Sequence, residues 1–281
     1  MTNKNSCQPL SLSKQETDAL NKHGVFFKKR ILHALQEIPD IGIVSEELGV
    51  SFGGTRVIDI VARYRHGKSD VYLVFECKRA YAVEKRWIFF KDVHQRYRVS
   101  RVQSGLVGHS SVFVNREPPH PPVCSEGYEY RKRDGKADAN PIFQAAAQLS
   151  AGCLGFIARR HKDFNRPGKP PSDAIERYIP VMVTNAELLV VQQDLKAVSL
   201  ETGNMPTPPK AAHVDFLILK HPFPTPEAMD RDFRDSPNPV PSPKDWSQLH
   251  KESIYVVRAS ALAEFMSHDH LDFLRSAESE E

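Results

Sequence analysis

The chain has 281 residues, 40% hydrophobic and 26% charged, with a formal net charge of +3. That balance fits one large globular domain, or one domain with a sizeable insertion, and is too mildly basic to announce a nucleic-acid binder; any such surface must be local. Four cysteines (Cys7, Cys77, Cys124 and Cys153) form no CxxC pair, and no apolar run approaches the roughly 20 residues that span a membrane. With no signal-peptide core in MTNKNSCQPL, a cytoplasmic protein with reduced thiols and no membrane association is expected.

Residues 12–38 predict helix, with Leu20, Phe27, Ile31, Leu35 and Ile38 near helical spacing and Gly24 as a break. Its surface carries Lys28 and Lys29, and Glu37 towards its end. Three strands follow, over 43–52, 57–62 and 71–78. In the last, alternation sets Val71, Leu73, Phe75 and Cys77 on one face and Tyr72, Val74, Glu76 and Lys78 on the other. A strand apolar on both faces is usually central and buried. Ending it with a carboxylate and an ammonium costs several kcal/mol unless the charges are compensated. The middle strand, VIDIVA, carries Asp59 alone at its centre, where an unpaired carboxylate is expensive. Two such carboxylates on neighbouring strands suit a hard divalent cation such as Mg²⁺. Gly53-Gly54 favours a two-residue hairpin turn, which pairs Leu48 with Asp59 and Glu46 with Val61. On that register Glu46 shares the face of Asp59 and Glu47 points away; a three-residue loop reverses the choice.

Asp59, sixteen residues, then Glu76-Cys77-Lys78 on a β-hairpin resembles the PD-(D/E)XK nuclease superfamily, with Val57-Ile58 where many members have a proline. The resemblance implies a restriction-endonuclease-like α/β core, a mixed central sheet flanked by helices. It implies that Asp59, Glu76 and the backbone carbonyl of Cys77 bind Mg²⁺, with Mn²⁺ as a substitute, and that Lys78 positions or activates the attacking water. Members often carry a further acidic residue on the first helix, which leaves Glu37, Glu46 and Glu47 as candidates to complete the site, Glu46 foremost.

The insertion at 79–139 is unexpected in such a core. Its first half interleaves Arg79, Lys85, Arg86, Lys91, Arg96, Arg98 and Arg101 with Trp87, Phe89, Phe90 and Tyr97; basic groups meet phosphates and aromatics can stack on bases. The alternative is an ordinary helix or strand whose aromatics are core. The second half, 117–139, is rich in proline, glycine and charge and reads as a loop or lid. Residues 140–160 predict a helix capped by Asn140, with Pro141 in its first turn. Ile142, Ala146, Leu149, Cys153, Phe156 and Ile157 form its packed side. Gln144 and Gln148 share a face with Gly152, Gly155 and Arg159, a stripe suited to close approach to a phosphate backbone. In the family a glutamine commonly follows the Glu-x-Lys strand, a role that Gln144 or Gln148 matches. Strands are predicted over 179–184, 188–191, 214–220 and 253–258, loops over 201–211 and 222–246, and a final helix from Ser260 through Leu262, Phe265, Leu271, Phe273 and Leu274. The region 201–281 thus forms a C-terminal extension of a single domain, 1–281.

The resemblance implies a Mg²⁺-dependent hydrolase of phosphodiester bonds, an endonuclease acting on DNA, with RNA as an alternative. Candidate nucleic-acid contacts are Gln144, Arg79, Lys85, Arg86, Lys91 and Arg159. Many bacterial antiviral-defence nucleases resemble this arrangement, so a homodimer or a gating protein partner is compatible with it. The alternative is a nuclease-like binding module without turnover, for which a broken Asp-Glu-Lys set would be the mark; here the set is whole.

Overall fold

The computed structural model describes residues 11–51, 55–66, 69–80, 85–92, 96–103, 106–113, 121–131, 135–164, 175–192, 198–205, 207–222 and 251–267. The predicted first helix is two: α1 (Lys14–Lys22), closed by a Ser13–Glu16 capping box, and α2 (Val25–Gln36). Gly24 lies between them at φ +74°, a left-handed backbone that glycine adopts without steric cost.

Among the described residues, thirteen strands form one mixed sheet. They are β1 (Ile41–Ser51), β2 (Thr55–His66), β3 (Ser69–Lys78), β4 (Lys85–Lys91), β5 (Arg96–Gln103), β6 (Leu106–Phe113), β7 (Val123–Arg131), β8 (Lys136–Asp138), β9 (Ile175–Thr184), β10 (Glu187–Gln192), β11 (Lys210–Val214), β12 (Phe216–Pro222) and β13 (Lys251–Arg258). The main path runs β1-β2-β3-β9-β13-β12-β7-β4-β10-β11; β5 and β6 form a hairpin against β9, and β8 pairs with β7. α3 (Asn140–Phe164) sits between β8 and β9 in sequence, and α4 (Leu262–Ser267) follows β13 through a tight turn at Ala259–Ala261.

The sheet is strongly curved. β3 and β9 are parallel neighbours, and so are their successors β4 and β10. Yet the hydrogen-bonded path from β9 to β10 passes through β13, β12, β7 and β4, although only Asn185 and Ala186 separate the two in sequence. Both strand pairs therefore turn a corner together and the sheet bends back. Asn185 staples that corner: its Oδ1 accepts the Ala80 N–H at 2.6 Å and its Nδ2 donates to the Ala80 carbonyl at 3.4 Å.

α3 lies inside the curve. Ile142, Ala146, Leu149, Cys153, Leu154, Phe156 and Ile157 pack with side chains from β2, β3, β4, β7, β9, β10, β12 and β13. The outer face is covered by α2 and α4, whose Ile31, Leu35, Leu262 and Phe265 cluster with Val71, Leu73 and Phe75. The alternation expected in β3 is therefore observed, odd positions towards α2 and Tyr72 and Val74 towards α3. Enclosure also explains why Asn140–Arg160 is long and apolar enough to cross a membrane by length and composition, contrary to the reading that no such run exists. A helix packed on nearly all sides must be apolar nearly all round.

Several expectations are corrected. Residues 123–131 and 136–138 are strands rather than a lid: Val123, Cys124 and Gly127 are buried, and buried Glu129 accepts the Trp87 Nε1–H at 3.2 Å. Charge on alternate positions had disguised a strand. Trp87 and Phe89 are core side chains. Asn140 is the first residue of α3 and not its cap, since its N–H is taken by the Asp138 carboxylate at 2.9 Å. Lys210–Val214 is strand β11, which begins inside the loop expected over 201–211 and ends at the first residue of the strand expected over 214–220. Leu271, Phe273 and Leu274 of the last predicted helix, and residues 223–250, lie outside the described residues.

Candidate metal and phosphodiester site

The site is assembled at the end of β3, where pairing with β2 stops at Ile60–Phe75 while pairing with β9 continues to Lys78–Thr184. β3 thus projects its last residues past the β2 ladder. Asp59 fills the gap: its Oδ2 accepts the Cys77 N–H at 2.8 Å. A residue's N–H and C=O face the same neighbouring strand, so the Cys77 carbonyl is directed to the side of Asp59.

Glu76 is 8% exposed, and its Oε1 lies 2.8 Å from Lys78 Nζ. Lys78 Nζ also donates to Gln148 Oε1 at 2.8 Å. The ammonium is therefore held between a strand carboxylate and a helix amide, which fixes a long side chain that otherwise has much freedom to lose. Burial, followed by the nearby Asp59 charge, pushes the Glu76 carboxyl up to about 7, against the opposing pull of Lys78. Asp59 is also raised, chiefly by burial, although the Cys77 amide and the Lys28 and Lys78 charges favour its ionised form. Burial and the same two carboxylates push the Cys77 thiol well up, so it is no nucleophile.

The hairpin register decides which additional glutamate meets this group. Ser51 pairs with Thr55, which leaves a three-residue loop rather than the two-residue turn expected at Gly53-Gly54. Glu46 pairs with Ile60 and Leu48 with Ile58, so Glu47 stands opposite Asp59. Glu46 is thereby corrected: it leans to the α2 side and meets Lys29 at 2.6 Å. Alternation slips at this point, because Ile58 and Leu48 pack with the α3 cluster whereas Ile60 joins the α2 cluster. Glu47 takes φ +54° there, and its carboxylate accepts a hydrogen bond from Lys28 Nζ. Glu37 is engaged elsewhere, by Arg30 at 3.7 Å and His33 at 3.3 Å.

The remaining candidates are placed as follows. Gln144 is exposed one turn before Gln148 on α3, and Arg159 is exposed about 16 Å further along it. The small residues on that face serve packing rather than approach to phosphate: Gly152 is buried, and a Cβ there would lie 2.9 Å from Ile58 Cγ1. Arg79 donates to the Asn21 carbonyl at the end of α1. Arg86 pairs with Glu187 at 2.7 Å, and Lys91 is exposed at the end of β4. The side chains of Lys85, Arg96, Tyr97, Arg98 and Arg101 lie outside the described residues. Sequence reasoning missed Lys28 as a member of the site; its signal was a basic pair on the helix that precedes the acidic hairpin.

Among the described residues, no set of three or more His, Cys, Asp or Glu side chains converges as a metal cluster. What converges is two carboxylates and a backbone carbonyl, which suits Mg²⁺ because that ion binds through one or two carboxylates and keeps several waters. A carboxylate pair in which burial, and after it mutual repulsion, raises one member to about 7 fits a missing positive charge. Comparison of the chain with protein-family models, with curated proteins and with solved structures returns no match.

Proposed function

We propose that the protein is a Mg²⁺-dependent nuclease of the PD-(D/E)XK type, hydrolysing phosphodiester bonds, with DNA the expected substrate. The observation that carries this reading is the meeting of Asp59, Glu76, Lys78 and Gln148 at the end of β3. Its support is topological as well: an antiparallel β1-β2-β3 meander and, after the intervening strands β4 to β8, α3 and then β9 parallel to β3. A mixed sheet flanked by helices is what the family resemblance implies, and the five strands between β3 and α3 are the insertion that such a core does not lead one to expect.

Asp59, Glu76 and the Cys77 carbonyl would hold the ion, which when bound polarises the scissile phosphate and acidifies a water. To hold the ion Glu76 would have to be ionised, its proton passing to solvent, since ligands must be deprotonated. Lys78, steered by Gln148 and Glu76, orients the attacking water and offsets negative charge developing on the phosphate oxygens. Asp59 also fixes the strand end by taking the Cys77 N–H, so that carbonyl and carboxylates keep one geometry. The raised position of Glu76, about 7, implies activity that rises with pH through neutrality.

The test is cleavage of supercoiled plasmid, single-stranded DNA and single-stranded RNA, with Mg²⁺, Mn²⁺ or EDTA. Wild type should cut in either metal and stop in EDTA, while Asp59→Asn, Glu76→Gln and Lys78→Ala should each lose at least about 100-fold, the scale of losing a key electrostatic group. Full activity in any of the three overturns the assignment.

A further inference from the structure

We propose that Lys28 is a built-in cation that ties up Glu47 and limits the centre to one divalent ion. The inference rests on the metal-dependent reading above. Beside the Asp59–Glu76 pair a further carboxylate, Glu47, stands opposite Asp59 across β1 and β2, and in this structure it does not converge with the pair. Were Glu47 to turn in and join them, three carboxylates could engage two hard cations. Only two are available, because the third is engaged by an ammonium.

The engagement is specific. The Lys28 side chain is 15% exposed, so its stem is packed and its Nζ has little choice of place. Glu47 is 62% exposed and could turn into solvent, yet it accepts from Lys28 while holding a left-handed φ of +54°. The adjacent glutamate is likewise drawn off, by Lys29. Two successive lysines on α2 thus each take one of two successive glutamates on β1. The Lys28 charge also favours the ionised forms of Asp59 and Glu76. It stands in for positive charge that a second ion would bring, without needing to be captured from solution.

Titration calorimetry with Mn²⁺ tests this on the full chain, using wild type, Lys28→Ala, Lys28→Met, Glu47→Gln and Lys28→Ala/Glu47→Gln, each checked for its melting temperature. Wild type should bind one ion, and Glu47→Gln should bind it with affinity within twofold. Lys28→Ala or Lys28→Met should bind a second ion, or bind the first at least tenfold more tightly. The double variant should return to the wild-type pattern, because the freed Glu47 is what the gain requires. Two ions on wild type, no change on removing Lys28, or a gain that persists in the double variant each overturns the proposal. Those results leave the nuclease reading standing if wild type binds Mn²⁺ and Glu76→Gln does not; absence of binding by wild type overturns both.

Discussion

Glu76 must be buried to sit beside Asp59 and Lys78, and burial is what makes its charge costly. Its ordinary value of 4.5 is raised to about 7. Between those values the folded chain keeps a proton that the unfolded chain has released. The native state then binds more protons, so stability falls as pH rises through this window, by at most about 1.4 kcal/mol per pH unit, and is level above it. Glu76→Gln removes that loss while forfeiting the charge-assisted bond to Lys78. In chelator at pH 8 the variant should melt above wild type, with a net gain of about 1–2 kcal/mol, and at pH 4.5 the order should vanish or reverse. Calorimetric melting from pH 4.5 to 8 checks this; parallel pH profiles for the two proteins would contradict it. The same substitution should abolish cleavage, which separates a site held for chemistry from one held for stability.

At the scale of elements, the contact of α3 with β2 passes through Gly152 and Ile58. Alanine in a helix interior is ordinarily about 1 kcal/mol better than glycine. Here a Cβ would lie 2.9 Å from Ile58 Cγ1, an atom near the backbone that cannot swing aside cheaply. Gly152→Ala should therefore destabilise the fold by about 1–2 kcal/mol, the usual cost of overpacking. Denaturant unfolding measures it, and a stabilised variant would contradict the packing. Cleavage should weaken as well, because Gln148 steers Lys78 from one turn earlier on this helix.

Much of this level was legible in the sequence. Alternation in β3 set Glu76 and Lys78 on the face of Tyr72 and Val74; helical spacing put Gln144 and Gln148 on one face, and only the family resemblance gave one of them a place at the site. The register of β1 was not legible, because two adjacent glycines permit more than one loop and a shift of one residue exchanges Glu46 for Glu47. Nor was β7, since its outward positions, Glu126 and Tyr128, are as polar as a loop and its inward Glu129 is satisfied by a distant Trp87.

At the scale of the molecule, the organising feature is a curved sheet closed around one helix. Curvature is non-local: the Ala80–Asn185 clamp joins residues 105 apart in sequence, and neither residue announces it. The apolar girth of α3 was not legible: with Gln144, Gln148 and Arg159 on one face, 140–160 reads as an amphipathic helix with one packed side until the sheet around it is known. A second clamp closes the far end, where Arg160 pairs with Glu176, which is 2% exposed and also accepts from Tyr178 OH. With both ends tied, α3 should exchange its amide hydrogens only through global unfolding, whereas α1 should exchange by local fraying. Hydrogen-exchange mass spectrometry resolves the two. Rapid exchange across 145–158 would contradict an enclosed helix.

The central claim is that Asp59 and Glu76 are kept together, at a cost in stability, to receive a divalent cation. The most direct measurement is the titration of the Glu76 side-chain carboxyl by carbon-detected NMR, with and without Mg²⁺. The account predicts a midpoint near 7 in chelator and a fall of more than two pH units at saturating Mg²⁺, with the change lost in Asp59→Asn. A midpoint that ignores Mg²⁺ would contradict it, and would leave Glu76 and Lys78 as a structural ion pair at a strand end.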